Sequence, residues 1–110
     1  MNRYVGPGFR ESGTELPPDF EAFRAEAVAA GCQEALVREW KPLTRVGTHT
    51  HPFDAEAIVV QGDMWLTEGG RTWHLTRGGT FRLAAGTPHE ERYGPEGATF
   101  WVGRRNAAAA

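Results

Sequence analysis

The sequence predicts a predominantly β fold, an antiparallel sandwich or barrel preceded by one short helix. Glycine and proline divide most of the chain into short segments of strand length. Helical periodicity is confined to one segment near the N-terminus. With 110 residues the chain is long enough for one hydrophobic core but has no room for a second. We therefore expect a single all-β domain.

The N-terminal region is predicted to contain an arm and a helix. Residues 1–16 indicate an extended arm that adds a strand to its own sheet or to a partner's. Asp19 is a good N-cap for a helix over 20–30, and Gly31 is a natural stop. The apolar side chains of this helix share one face, which we expect to pack outside the barrel: Phe20, Phe23 and Ala27.

Strands are predicted from residue 33 onward. Gly69-Gly70 indicates a two-residue hairpin turn, and Gly62-Asp63, 77–79 and 94–97 indicate further turns. The eight predicted strands cover residues 33–40, 45–51, 56–61, 63–68, 71–76, 80–84, 89–93 and 98–104. Residues 106–110 lack apolar periodicity and are expected to form a flexible tail, which leaves 17–105 as the domain.

Composition excludes several classes of partner and compartment. A formal net charge of -2 gives no electrostatic case for nucleic acid, and no apolar run is long enough to span a membrane. The polar N-terminus shows no secretory signal. Cys32 is the only cysteine, which excludes an internal disulfide and fits a reducing compartment. We expect a cytoplasmic protein.

Three of the four histidines lie in two glycine-bearing segments. His49 and His51 are two residues apart, so in an extended strand they leave the same face, roughly 6 to 7 Å apart. That separation suits two ligands of one ion. His89 is expected to supply a third imidazole from elsewhere in the fold.

The segments 47–62 and 78–89 resemble the two signature motifs of the cupin superfamily. The resemblance covers about half the chain. His49, His51 and Gly62 fit the first motif. The second motif is matched at seven positions, with Gly79 and Ala84 as departures: Gly78, Thr80, Phe81, Leu83, Gly86, Pro88 and His89.

The resemblance implies a small single-domain cupin with an RmlC-like jelly-roll β-barrel. It also implies that His49, His51 and His89 bind one divalent transition metal ion: Fe, Ni, Zn, Mn or Cu. Neutral imidazole suits all of these, and three histidines leave open positions for a chelating molecule. The alternative is a cupin that has lost its metal, in which ordinary hydrogen bonds hold the histidines. Burying unpartnered imidazoles is costly, which favours the metal.

The first motif lacks its usual glutamate. Counting back from Gly62 places that position on Ala55, which cannot bind a metal. Glu56 starts on the opposite face of the strand, although a one-residue bulge would turn it inward. We favour the simpler interpretation, in which Glu56 is a solvated or rim carboxylate.

Strand alternation after His89 places two further candidates on its face, Glu91 and Tyr93. Glu91 is the best acid-base candidate in the chain, as a ligand, an anchor for a ligand or a general base. The alternative for Glu91 is an ion pair with Arg92 or Arg104. Tyr93 is expected to be either a hydrogen-bond donor in the cavity or a core ring.

Two more residues are substrate-binding candidates. Phe53 is expected to cap the metal cavity or to pack in a loop, and Arg38 to reach an anionic substrate if its face points inward. His74 lies outside both motifs and is expected at the surface or in a hydrogen bond. Asp54 is expected in a turn. The four tryptophans are predicted in the core or at a dimer interface: Trp40, Trp65, Trp73 and Trp101.

Two function classes follow from the resemblance. The first is a metal-dependent enzyme acting on a small polar chelating molecule, with a three-histidine centre like that of cupin dioxygenases; lyases and isomerases use similar cavities. The second is a non-catalytic binding or sensing module, for which no DNA-binding segment is visible. We also expect a homodimer, because a small barrel with exposed strand edges gains from pairing them.

Overall fold

The computed structural model describes residues 16–106, which form one helix and six strands. The helix α1 covers Phe20–Ala29, and the strands are β1 (Glu34–Trp40), β2 (Arg45–His49), β3 (Phe53–Glu68), β4 (Arg71–Leu75), β5 (Thr80–Leu83) and β6 (His89–Asn106). The predicted arm over 1–15 and the tail over 107–110 lie outside the described residues. Asn106, predicted in the tail, is the last residue of β6 and pairs with Phe53.

The helix begins and ends where the sequence predicts. The carboxylate of Asp19 accepts a hydrogen bond from the backbone N–H of Ala22 at 2.9 Å, which satisfies one free donor of the first turn. At the other end Ala30 is the C-cap, and Gly31 has a φ of +97° that glycine adopts without strain. No helix within residues 16–106 is long and apolar enough to cross a membrane.

The strands are antiparallel and form a jelly-roll arrangement around two long central strands. β3 and β6 pair along their whole lengths, from Phe53 with Asn106 to Glu68 with His89. At one end β1 and β5 flank this pair, and at the other end β2 and β4 flank it. The fold is therefore two four-stranded halves that share their central strands. Among the described residues the sheet remains open rather than closed into a ring.

Two turns predicted from glycine are wrong. Gly62 lies inside β3 and Gly97 lies inside β6, where the strands bend and the register shifts instead of reversing direction. The two glycines meet at this bend: a Cβ on Gly62 would lie 2.1 Å from the carbonyl oxygen of Gly97, and one on Gly97 would lie 2.2 Å from that of Trp40. Bulges with close backbone approach use the same residue as turns. The hairpin predicted at Gly69-Gly70 is confirmed.

Alternation along β3 creates two separate apolar clusters. Ala55, Ala57 and Val59 face the interior between the two halves, where they pack with the main core. Ile58 points to the opposite side, where it packs with Phe23 under the helix. The helix thus covers the outside of the half that contains β1 and β5, as predicted, and leaves the interior of the barrel free for a pocket.

Candidate metal centre

The three motif histidines converge inside the barrel. His49 ends β2, His89 begins β6, and the two residues pair across the strands. His51 follows β2 by two residues, and its ring centroid lies 4.8 Å from those of both other histidines. One ligand atom from each residue lies within 4.8 Å of the other two. Two nitrogens bound to one ion at about 2.1 Å lie at most about 4.2 Å apart, so this cluster can hold a metal after a small adjustment.

Backbone carbonyls fix the orientation of two of the rings. Nδ1 of His49 donates to the carbonyl of Gly47 at 2.7 Å, and Nδ1 of His89 donates to that of Thr87 at 2.9 Å. Because a carbonyl oxygen only accepts, each Nδ1 carries the proton and each neutral ring keeps a lone pair on Nε2. Metal-binding histidines are commonly oriented in this way.

Glu91 lies beside the two oriented rings. Its Oε2 is 3.3 Å from Nε2 of His89 and 3.5 Å from Nε2 of His49. A neutral Nε2 and an ionised carboxylate are both acceptors, so this arrangement lacks a positive charge between them. Nε2 of His89 is buried without a hydrogen-bond partner. Either a proton on imidazole or a metal cation satisfies these atoms.

The pKa values of the cluster follow from this crowding. Burial lowers the pKa of His51, and the neighbouring His89 and His49 lower it further. Burial also disfavours the charged form of His89, but Glu91 and the bond to Thr87 outweigh it, so the pKa of His89 is raised. For Glu91, burial opposes ionisation, yet the neighbouring His89 and the hydrogen bond from Tyr93 leave its pKa below the usual range.

Tyr93 acts on the site through Glu91. Its hydroxyl donates a short hydrogen bond to Oε1 of Glu91, which leaves Oε2 as the oxygen that faces the histidines. The Tyr93 ring is fully buried and stacks on Trp40 with centroids 4.9 Å apart. Burial raises the pKa of Tyr93 strongly, and the charge of Glu91 adds to that effect. Tyr93 is thus a buried positioning residue behind Glu91 rather than part of the pocket wall.

The histidines open into a pocket of about 190 Å³, the volume that roughly six molecules of liquid water occupy. The lining divides by chemistry into a polar set, called the polar side, and an apolar set, called the apolar wall. The polar side consists of Arg38, Trp40, His49, His51, His89, Glu91 and Arg104, and the wall of Phe53, Ala55, Phe81, Leu83, Phe100 and Val102.

The substrate-binding candidates Phe53 and Arg38 both line the pocket. Phe53 stacks on His51 at a centroid distance of 4.8 Å and an interplanar angle of 6°. The guanidinium of Arg38 lies 5.0 Å from the ring centroid of Trp40. The sequence did not decide which face of β1 points inward. The structure shows that it is the face that carries Arg38 and Trp40.

Ala55 occupies the pocket wall, so the first-motif glutamate is absent, as predicted. Glu56 points to the opposite side of β3, and the prediction of a solvated or rim carboxylate is wrong. Glu56 is only 2% exposed, and Oε1 accepts from Nη2 of Arg105 at 2.7 Å. Nε of Arg82 lies 3.5 Å away. Glu56 forms a cluster with Arg105 and Arg82 on the helix-covered face of β3.

The remaining sequence candidates lie outside the centre. His74 is half-exposed, stacks on Trp65, and lies 3.2 Å from Oδ2 of Asp63, in agreement with the predicted surface histidine. Asp54 lies in β3 rather than in a turn, and accepts from the backbone N–H of Ala85 at 2.8 Å. The alternative ion pair of Glu91 with arginine is not found within residues 16–106, where its partners are histidines and Tyr93.

Sequence reasoning did not assign Arg104 and most of the apolar wall to the pocket. The signal was the alternation of β6, in which Phe100, Val102 and Arg104 share one face. Trp40 packs against the main core, as predicted, and also borders the pocket.

Comparison with known proteins identifies the fold. A sequence profile of the AraC-like ligand binding domain matches residues 32–110. No curated protein sequence shows significant similarity to the chain.

Many solved structures share the fold. One from a study of the DMSP lyases RdDddP and RnDddQII has a TM-score of 0.62 and 24% identity, over 66% of this chain and 38% of that one. A protein of unknown function from Rhizobium leguminosarum has 0.62 and 21%, over 66% and 68%. An RmlC-like cupin from Shewanella frigidimarina has 0.59 and 20%, over 66% and 65%. The chain spans well under half of the lyase structure, and these likenesses establish the fold alone.

Proposed function

We propose that this chain, a member of the AraC-like ligand binding domain family and so of the cupin superfamily, is a metal-dependent enzyme. His49, His51 and His89 bind one divalent transition metal ion: Fe, Ni, Zn, Mn or Cu. The substrate is a small polar molecule that chelates this ion. The observation that carries the proposal is the convergence of the three histidines, whose ligand atoms all lie within 4.8 Å of one another beside the Glu91 carboxylate.

When bound, such an ion supplies a Lewis acid that polarises a coordinated oxygen or orients a chelating substrate. The protein residues supply the remaining functions. The backbone bonds of His49 and His89 hold the rings in the ligating tautomer. The apolar wall restricts water on the opposite side of the pocket.

Glu91 is the proposed general base. Its Oε2 is directed to the histidines, while Oε1 is held by the hydroxyl of Tyr93. A proton leaving the substrate is accepted at Oε2, which converts the carboxylate to a neutral carboxyl group, and the bond from Tyr93 to Oε1 holds the side chain in place. The lowered pKa of Glu91 keeps this carboxylate in its ionised form.

Metal analysis tests the proposal. The full chain, stripped with a chelator and reconstituted with each ion in turn, is expected to hold about one ion per chain, and His49→Ala to hold almost none. His74→Ala is the matched control, because His74 is the one histidine outside the cluster. Equal and low metal content in wild type and His49→Ala would overturn the ligand assignment.

The second candidate is a ligand-binding module without chemistry, and the family match favours it because that family is described by ligand binding. Oxygen uptake separates the two classes. The Fe(II)-loaded protein is mixed with candidate diketones or thiols, and consumption of oxygen supports an oxygenase. Measurable ligand affinity with no turnover for any metal supports the binding module.

Homodimer formation and a cytoplasmic location remain predictions. Within residues 16–106, β1 and β4 end the path of paired strands, and such edges are suited to pairing with a second copy. Light scattering at micromolar concentration is expected to give twice the mass of the chain. A monomer would contradict the dimer.

A further inference from the structure

The pocket carries more positive than negative charge. Arg38 and Arg104 are its cations and Glu91 is its only carboxylate, so the lining has a formal charge of +1 with neutral histidines. The Glu91 charge is already engaged by His49, His89 and Tyr93. A divalent ion at the histidines would raise the total to +3. The electrostatic field of the pocket therefore favours an anion.

Donors without acceptors border the same pocket. Nε of Arg104 and Nε1 of Trp40 are both buried and lack a hydrogen-bond partner. Arg38 is exposed at the pocket, and its guanidinium has no ion pair among the residues that the structure describes. The two buried donors are those of Arg104 and Trp40. Buried donors of this kind are costly unless a ligand or water satisfies them. What is missing from the pocket is a set of acceptor atoms.

Each of the two pocket arginines is held against an aromatic ring. Arg38 lies over Trp40, and Arg104 lies over Phe53 at 4.5 Å from the ring centroid. The ion pair of Arg104 with Glu34 is 3.4 Å long and Glu34 is half-exposed, so this contact competes weakly with a ligand.

From these observations we propose that the ligand of the pocket is a small organic acid whose carboxylate is bound by Arg38 or Arg104. The inference rests on the proposed metal function in one respect: the metal at the histidines would orient the rest of the ligand. The carboxylate supplies the acceptors that the guanidinium and indole donors lack. The carbon skeleton lies against the apolar wall, and the volume limits it to a few carbon atoms.

Calorimetry with a charged probe and a neutral probe of similar shape tests the inference. Propionate and propionamide are titrated into the full chain, once stripped of metal and once loaded with Ni²⁺. Propionate is expected to bind about 10- to 100-fold more tightly, the range of a hydrogen-bonded charge. Arg38→Gln with Arg104→Gln is expected to abolish this preference, and each single variant shows which guanidinium carries it.

Arg71→Gln is the matched control. Arg71 lies over Trp73 at 5.0 Å, the same distance as Arg38 over Trp40, but it is exposed on β4 away from the pocket lining. This variant is expected to keep the full preference for propionate. Unchanged binding of propionamide to the double variant shows that the pocket is still folded.

Four outcomes would overturn the organic-acid inference: equal affinity for the two probes, no binding of propionate at millimolar concentration, a preference that survives the double variant, and a preference that Arg71→Gln also abolishes. A preference that requires Ni²⁺ and survives the double variant means that the carboxylate binds the metal alone. A chain that holds no metal yet shows an arginine-dependent preference retains this inference and refutes the metal function. A chain that holds metal and shows no preference for propionate retains the metal function and refutes the organic-acid inference.

Discussion

Glu91 and Glu56 are two buried carboxylates in the paired strands β6 and β3, and their partners differ in kind. Glu91 faces the interior, where it lies beside His49 and His89 and accepts from Tyr93. Glu56 faces the helix side, where it pairs with Arg105 and Arg82. Ala55, the immediate neighbour of Glu56, lines the pocket. One residue of register along β3 separates the two environments.

The difference shows that the chemistry of the partners, rather than burial, distinguishes a functional carboxylate from a structural one. A guanidinium stays charged at all accessible pH values, and the bond with Glu56 raises the pKa of Arg105 further. Glu56 is therefore permanently neutralised and suited to hold strands together. The partners of Glu91 can exchange a proton or bind a cation, so the charge around Glu91 can change during a reaction.

The largest expected effect is on stability, from Glu56→Gln. This change removes the nearer of the two carboxylates beside Arg105 and leaves Asp54 at 3.9 Å. Breaking a buried pair from one side costs about 3 kcal/mol, the lower end of the usual range because the Arg105 side chain is 25% exposed. Denaturant unfolding measures the loss, while the metal content of the folded protein stays unchanged.

The double variant Glu56→Leu with Arg105→Leu is the control for that experiment. Replacing both members of a buried pair by apolar side chains is often close to neutral, so most of the stability is expected to return. If Glu56→Gln unfolds at the same denaturant concentration as the wild type, the cluster is not structural and the contrast with Glu91 fails.

The next effect is on metal affinity, from Glu91→Gln. Loss of the carboxylate beside the ligating nitrogens is expected to weaken Ni²⁺ binding about 10- to 100-fold, as for other groups that support metal ligands. Titration calorimetry gives the affinity. Glu56→Gln is the matched control, with the same substitution on the other face of the sheet, and equal weakening by both would remove the distinction between the two carboxylates.

A smaller effect on stability is expected from Tyr93→Phe. The substitution keeps the ring that stacks on Trp40 and removes only the hydroxyl that donates to Glu91. Leaving a buried acceptor without its donor costs about 1 to 2 kcal/mol, which thermal or denaturant unfolding can measure. A neutral result would mean that Glu91 is stabilised by the histidines alone.

The smallest effect concerns Cys32, next to the Glu56 cluster. Burial raises the pKa of this thiol above its ordinary 9.0, and the charge of Glu56 raises it further. The folded chain therefore keeps the thiol proton at a pH where the unfolded chain loses it, so this contribution to stability is complete below pH 9 and is lost as pH rises through the folded pKa.

Alkylation checks the expectation for Cys32. Iodoacetamide at pH 9 is expected to modify the thiol slowly in the folded protein and rapidly in denaturant, as mass spectrometry can follow. Equal rates in the two conditions would show that the thiol is neither buried nor protected by its neighbours.

The histidine centre was predictable because its signals are local. Two residues of spacing place His49 and His51 together, and the second motif provides His89. Alternation along one strand then gives Glu91 the correct face without any knowledge of the rest of the fold. The helix was equally local, since Asp19 and Gly31 define its ends.

The features that the sequence did not predict depend on distant partners or on an ambiguous residue. Glu56 is buried because of Arg105, 49 residues away, and no local pattern connects the two. Gly62 and Gly97 were interpreted as turns because a bend with close backbone contact and a chain reversal demand the same backbone freedom. The position of Arg104 in the pocket follows from the pairing of β6 with β3, which is also long-range.

The bend at Gly62 and Gly97 has a consequence for how the molecule opens. Because β3 and β6 continue through the bend, the histidine half and the helix-covered half are built on the same two strands, with a register shift between them. Neither half can separate locally without disrupting the other, so amide hydrogen exchange along both strands is expected to occur through a single cooperative opening. A ligand that tightens the pocket should then slow exchange as far away as the residues beneath the helix.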